Sequence, residues 1–327
     1  MDRRIEELAL EVAERVRAAV LPALGTRDAR ARVGRAPGGD ATLAIDELAE
    51  VAVEEALRAA GDIGYYSEDR GLVRIGTPRA VLVIDPVDGT RPAAAGLEAG
   101  CVSIGVVPPS EEATLGDVSF GVVQELRSGH RFVARRGVGA VAETADGTPV
   151  VLVPSANTDL TALFWTAGQR ARPLMATSVV LEELVDGSSL GGGYFDLGSA
   201  AFALTRVATG QLDAYVDVGR RIVDEVPVTE AAFRRVGDGA ICTNFPYDVA
   251  AGALVVRGGG RRGDPRRRRM PRRPPGGRLG ARARPGRAGR GEPRAARAPA
   301  RRARAGHRPP PGGRGRGQDA RGRTAEV

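Results

Sequence analysis

The sequence predicts a mixed α/β (α+β) protein followed by a segment able to build neither helix nor sheet. Three observations lead there. Apolar residues recur at helical spacing near the N-terminus, strand-like apolar runs fill residues 61–155, and both patterns mix over residues 156–256. Beyond Arg257 the composition changes abruptly. With 327 residues the chain is long enough for two packed subdomains or one large α/β unit. The expected organisation is an N-terminal α+β half over residues 1–155, a C-terminal α/β half over 156–257, and a low-complexity tail over 258–327.

Taken in order, residues 3–24 place Ile5, Leu8, Val12, Val16 and Ala19 on one side of an amphipathic helix. Arg3, Arg4, Glu6, Glu7, Glu11 and Glu14 interrupt it, so it is no signal peptide. A loop over residues 33–40 leads to a second helix ending near Ala60. Residues 80–84 form an apolar run bounded by Pro and Gly and read as a buried strand. Strand patterns follow at 102–107, 119–125 and 130–135. Residues 137–151 then read as a hairpin, with Asp146-Gly147 at a turn. Helices are expected over 198–209 and 248–257.

The most informative string is Val83-Ile84-Asp85-Pro86-Val87-Asp88-Gly89-Thr90. Asp85 is expected at the end of the strand and Asp88 in the turn, both aimed at one point above the sheet edge. Two hard oxygen ligands beside backbone N–H groups at a helix start suit Mg²⁺ and phosphate together. An isolated Asp-x-x-Asp is most often only a turn; the whole string after an apolar strand is far more specific.

This string resembles the first signature of the inositol monophosphatase family, Mg²⁺-dependent, lithium-sensitive sugar phosphatases that include fructose-1,6-bisphosphatases. Upstream, Ser67-Glu68-Asp69 is similar to the family's Ser-Glu-Glu strand end, with Asp69 in place of the second Glu. Gly39-Asp40-Ala41-Thr42-Leu43-Ala44-Ile45-Asp46 resembles an archaeal-type segment and puts Asp46 at a helix N-terminus, where capping is its alternative role. Downstream, Gly198-Ser199-Ala200-Ala201 resembles the family's Gly-Ser/Thr-Ala-Ala helix start, with small residues that let a substrate approach. Tyr247-Asp248-Val249-Ala250-Ala251-Gly252 resembles the second signature, with Tyr for Trp. Residues 218–246 are longer than the family pattern and read as an insertion near the site mouth. Residues 91–100 lack the usual Asn-Phe after Asp-Gly-Thr. The resemblance covers roughly residues 5–257.

What the resemblance implies is a layered αβαβα sandwich and a phosphomonoesterase using two or three Mg²⁺ ions. Glu68, Asp85 and the Val87 carbonyl would hold one ion; Asp85, Asp88 and Asp248 a second. Asp46 and Thr90 would orient and deprotonate the attacking water, and the N–H groups of Gly89 and Thr90 would receive the phosphate. Asp88, Asp217 and the segment Gly198, Ser199, Ala200 would contact the substrate, a small phosphorylated sugar or polyol such as inositol 1-phosphate or fructose 1,6-bisphosphate. A homodimer is implied as well.

Composition excludes other chemistry. The chain has two histidines, His130 and His307, which argues against a histidine metal site or a Ser-His-Asp hydrolase. Cys101 and Cys242 offer neither a disulfide framework nor zinc spacing, and read as buried thiols in a reducing, cytoplasmic compartment. No apolar run reaches the roughly 18 residues that span a bilayer.

Residues 257–327 hold 24 Arg against four acids, a net of +20, which leaves residues 1–256 at −12 in a chain of net +8. The basic balance therefore belongs to the tail and not to the body. With almost no Leu, Ile, Val or Phe, the tail cannot bury enough apolar surface to offset its chain entropy and is expected to be disordered. Two readings compete. One is a native extension that binds nucleic acid through counterion release. The favoured one is a reading-frame shift in GC-rich DNA: Arg, Gly, Pro and Ala have codons made of G and C, the chain contains no Lys, and the switch falls where the family continues with Glu-Ala-Gly-Gly. On that reading the second half is incomplete, and a catalytically impaired phosphatase-like protein is the alternative function.

Overall fold

The computed structural model describes residues 2–259. Residues 260–327, and with them the expected disorder of the tail, its nucleic-acid role and its frameshift alternative, lie outside the described residues.

Helix α1 (Arg3–Val20) starts where the Asp2 side chain accepts the Arg4 N–H at 2.9 Å, and it buries Ile5, Ala9, Val12, Ala13, Val16 and Val20. The expected loop at 33–40 is a short hairpin instead: β1 (Arg32–Arg35) pairs antiparallel with β2 (Ala41–Leu43), and Asp40 sits at the end of its tip. All four β1 residues are exposed, so no apolar alternation announced that strand. Helix α2 (Ala44–Ala60) then packs along α1.

Residues 63–150 make one eight-stranded sheet: β3 (Ile63–Ser67), β4 (Gly71–Ile75), β5 (Val81–Asp88), β6 (Cys101–Val107), β7 (Phe120–Glu125), β8 (Arg131–Arg135), β9 (Gly139–Glu143) and β10 (Pro149–Val150). The order is β10-β9-β8-β7-β6-β5-β3-β4, antiparallel except for the parallel pair β3–β5. Between β5 and β6 lies the short helix α3 (Thr90–Ala95). Helices α1 and α2 cover one face, with Leu10, Val16, Ile45, Leu57, Leu82, Ile104 and Val122 in the shared core.

The other face carries α5 (Ala200–Ala208) and α8 (Pro246–Gly258). Helix α8 lies so close to the sheet that a Cβ on Gly121 would meet the Ala251 Cα at 3.1 Å. Beyond α5 stands a second, parallel sheet of order β12-β11-β13, made of β11 (Phe164–Ala167), β12 (Gly193–Phe195) and β13 (Ala214–Val216). Helix α4 (Leu174–Gly187) closes its far side through Leu181, Leu184 and Val185 against Trp165 and Tyr194, and the Trp165 indole donates to Ser188 Oγ at 3.0 Å. The result is the αβαβα layering expected from the resemblance.

Residues 218–246 form α6 (Gly219–Glu225) and α7 (Glu230–Val236), joined by a small core of Ile222, Val223 and Phe233. The segment returns to the hairpin tip, where Arg35 meets Asp238. Both cysteines are free and buried. Among the described residues no helix is long and apolar enough to cross a membrane.

Candidate active site

The site begins with a fault in a strand. Asp85 and Asp88 are three residues apart, and in a regular strand they would point to opposite faces. Strand β5 does not stop at Ile84, as the sequence suggested, but runs to Asp88 through a break in register: Asp85 pairs with Ser103 and Asp88 with Cys101. Three steps on β5 oppose two on β6, so one residue is extra and both carboxylates share a face. Pro86, which has no N–H to give the ladder, sits in the break, and the Val87 N–H turns back to Asp85 Oδ1 at 3.0 Å.

Asp248 reaches the same point from the start of α8, accepting the Phe245 N–H at 2.5 Å. Carboxylate oxygens of Asp85, Asp88 and Asp248 lie within 4.8 Å of one another. Tyr247 beside it is buried against Tyr66 and Phe245, ring centroids 5.4 and 5.3 Å away, filling the place the family gives to Trp. Glu68, from the end of β3, lines the same cleft.

Asp88 is held across the layers. Ser199, the N-cap of α5, donates its hydroxyl to Asp88 Oδ2 at 2.6 Å. The N–H groups of Ala201 and Ala200 donate to Oδ2 at 2.5 Å and Oδ1 at 3.3 Å. The helix-start donors that the sequence assigned to an approaching substrate are thus engaged by Asp88, while Gly198, Ser199 and Ala200 still line the cleft. Gly89 makes that approach possible. Its φ of +87° is left-handed, and a Cβ there would meet the Ala99 carbonyl oxygen at 2.3 Å and Ser199 Cβ at 2.8 Å.

Thr90, the first residue of α3, donates its hydroxyl to the Val87 carbonyl at 3.1 Å and lies in hydrogen-bonding contact with Asp46. Asp46 is the third residue of α2; its carboxylate turns back to the Leu43 N–H at 2.8 Å, so it also caps the helix. Burial pushes Asp46 up to about 7, against the hydrogen bonds from Leu43 and Thr90. Burial, then the charge of Asp88, brings Asp248 to about 7. Glu68 and Asp85 stand well above the usual carboxylate range, through burial first and then neighbouring acids. Asp88 is raised by burial, with the Ser199 and Ala201 hydrogen bonds opposing.

Asp217 lies behind the cleft wall. Arg172 grips its carboxylate with two nitrogens, the Nε one at 3.1 Å, and the Gly219 N–H donates to it at 2.8 Å. The cleft contains groups that the sequence did not single out. Arg170, in the loop after β11, forms ion pairs with Asp40 and with Glu68, the latter at 3.8 Å. Arg91 also reaches Asp40, at 3.3 Å. Burial works against ionisation of Asp40, but the two guanidinium groups outweigh it and hold the carboxyl below its ordinary range. No local motif announces Arg170; its partners lie 130 and 102 positions away.

Chemically the cleft is a set of crowded hard carboxylates, a donor set suited to hard divalent cations. Mutual repulsion and desolvation leave these acids with a demand for positive charge that a dication meets, so the residues fit the ion the resemblance implies.

The sequence profile of the inositol monophosphatase family matches residues 1–280, running on past Arg257. The chain is similar to a fructose-1,6-bisphosphatase/inositol-1-monophosphatase of Methanothermobacter thermautotrophicus, 29% identical over 227 residues, covering 66% of this chain and 77% of that protein. It is 30% identical over 217 residues to a Nus factor SuhB of Xylella fastidiosa, 66% of each chain. Among solved structures, the extragenic suppressor protein suhB of Bartonella henselae superposes with a TM-score of 0.59 at 21% identity, over 79% of this chain and 85% of that one; this likeness concerns the fold alone.

Proposed function

Because this chain belongs to the inositol monophosphatase family, phosphoric monoester hydrolases of sugar phosphates, we propose that it hydrolyses a small sugar or inositol phosphate with two or three Mg²⁺ ions held in its carboxylate cleft. The observation that carries this reading is the convergence of Asp85, Asp88 and Asp248 within 4.8 Å beside the left-handed turn at Gly89.

In this reading Glu68, Asp85 and the Val87 carbonyl hold one ion, and Asp85, Asp88 and Asp248 another. Bound Mg²⁺ would supply positive charge to the phosphoryl oxygens and make the attacking water more acidic. The chain's own residues do the rest. The N–H groups of Gly89 and Thr90 receive the phosphate. Thr90 fixes the water and passes its proton to Asp46, whose affinity near pH 7 suits a base at neutral pH. Gly198, Ser199 and Ala200 form the wall against which a sugar lies. Asp217 does not face the cleft itself; it holds Arg172, another residue of the cleft lining, in place from behind.

The test is phosphate release from inositol 1-phosphate, fructose 1,6-bisphosphate, histidinol phosphate and 3′-phosphoadenosine 5′-phosphate, with and without Mg²⁺. Mg²⁺-dependent release from at least one is expected. Metal binding with release from none would favour the impaired, ligand-binding alternative.

A further inference from the structure

The cleft contains a cation of its own. Arg170 stands on the loop between β11 and α4, on the small-sheet side of the cleft. One of its terminal nitrogens pairs with Asp40 and the other lies 3.8 Å from Glu68 Oε1. Its charge is also felt by Asp248 and Asp85. The side chain is 39% open to solvent, so it has a way out of the cleft once its ion pairs are broken. Asp40 has a second cation in Arg91, at 3.3 Å, and keeps a partner if Arg170 leaves. A dication on Glu68 would compete with the guanidinium for the same oxygen and repel it.

We propose that Arg170 is the built-in counter-cation of the carboxylate cleft: it holds Glu68 while metal is away, releases it as metal loads, and then serves at the cleft mouth as an anion-binding group for the substrate. The inference rests on the metal-dependent reading above and adds an order of events to it. The planar fork that grips carboxylates matches phosphate oxygens equally well, so the released side chain keeps a use.

The experiment is calorimetric titration of the full chain with Mg²⁺, and then with inorganic phosphate at saturating Mg²⁺, for the parent, Arg170→Gln, Arg170→Lys and Arg91→Gln. Arg91→Gln removes the same charge from the same mouth without touching Glu68. Arg170→Gln is expected to bind Mg²⁺ roughly tenfold more tightly and phosphate roughly tenfold more weakly. Arg170→Lys, which keeps the charge but lacks the fork, should bind Mg²⁺ like the parent and phosphate more weakly. Mg²⁺ binding by Arg170→Gln alone would also support the proposal. Unchanged Mg²⁺ affinity in Arg170→Gln, or equal tightening in Arg91→Gln, would overturn it while leaving the metal-dependent reading intact. Tighter Mg²⁺ with unchanged phosphate would overturn the anion-binding half. No Mg²⁺ binding by any of the four would remove both readings.

Discussion

Asp88 uses both carboxylate oxygens as acceptors, one for the Ala200 N–H and the other for Ser199 and Ala201, while it also faces Asp85 and Asp248. An amide has one acceptor oxygen and would aim its NH₂ at a donor. Asp88→Asn should therefore lower stability by about 1–3 kcal/mol as well as removing charge from the cluster. Asp85→Asn and Asp248→Asn, whose described backbone donors are single N–H groups, should lose Mg²⁺-dependent phosphate release with smaller losses of stability. Thermal melts beside phosphate assays check this; activity within about tenfold of the parent in any of the three would remove that residue from the ligand set. Thr90→Ala should cut turnover roughly 10²–10⁴-fold with Mg²⁺ affinity little changed. Parallel loss of metal binding would make Thr90 a structural residue.

At the scale of elements, the turn from β5 into α3 decides whether the carboxylates meet. Gly89→Ala forces a side chain into a left-handed position already filled by the Ala99 carbonyl. A stability loss of roughly 2 kcal/mol or more is expected, with weakened Mg²⁺ binding because Asp88 is displaced. Denaturant melts and calorimetry measure both, and parental values would mean that the turn tolerates a Cβ. This element also shows what was legible in the sequence. The apolar run at 80–84 announced a strand, and the Asp-Pro-Val-Asp-Gly-Thr string announced the family and two members of the acidic cluster, because both are local. The continuation of β5 to Asp88 was not legible, since a bulge is defined by its partner strand, here Cys101 and Ser103. The β1–β2 hairpin was missed for a similar reason: four exposed residues form a strand only by pairing. Arg170 has no signal of its own, because its meeting with Glu68 is made by the stacking of two sheets.

At the scale of the molecule, Asp46, Glu50 and Asp248 each bind a proton more tightly folded than unfolded, rising from 3.8 or 4.5 to about 7. Raised carboxyl values favour the folded state fully below the unfolded values, and that contribution is lost as pH rises through the folded ones. The metal-free protein should therefore lose melting temperature between about pH 4 and 7, and Mg²⁺ should restore it at pH 7 and above. A melting temperature that rises over that interval without metal would show that other groups control stability. The small sheet ends, among the described residues, at edges β12 and β13. On the frameshift reading, restoring the frame beyond codon 257 should raise melting temperature and solubility by covering them. Equal behaviour of the two chains would make the basic tail a native extension. The bond from Asp88 to the start of α5 joins residues 111 to 113 positions apart and ties the large sheet to the layer behind it. The amide protons of Ala200 and Ala201 are thereby expected to report on the cleft: their rate of exchange with deuterated water should change when Asp88 takes on a cation, without a substrate present, and an unchanged rate would show that the helix start and the cleft are uncoupled.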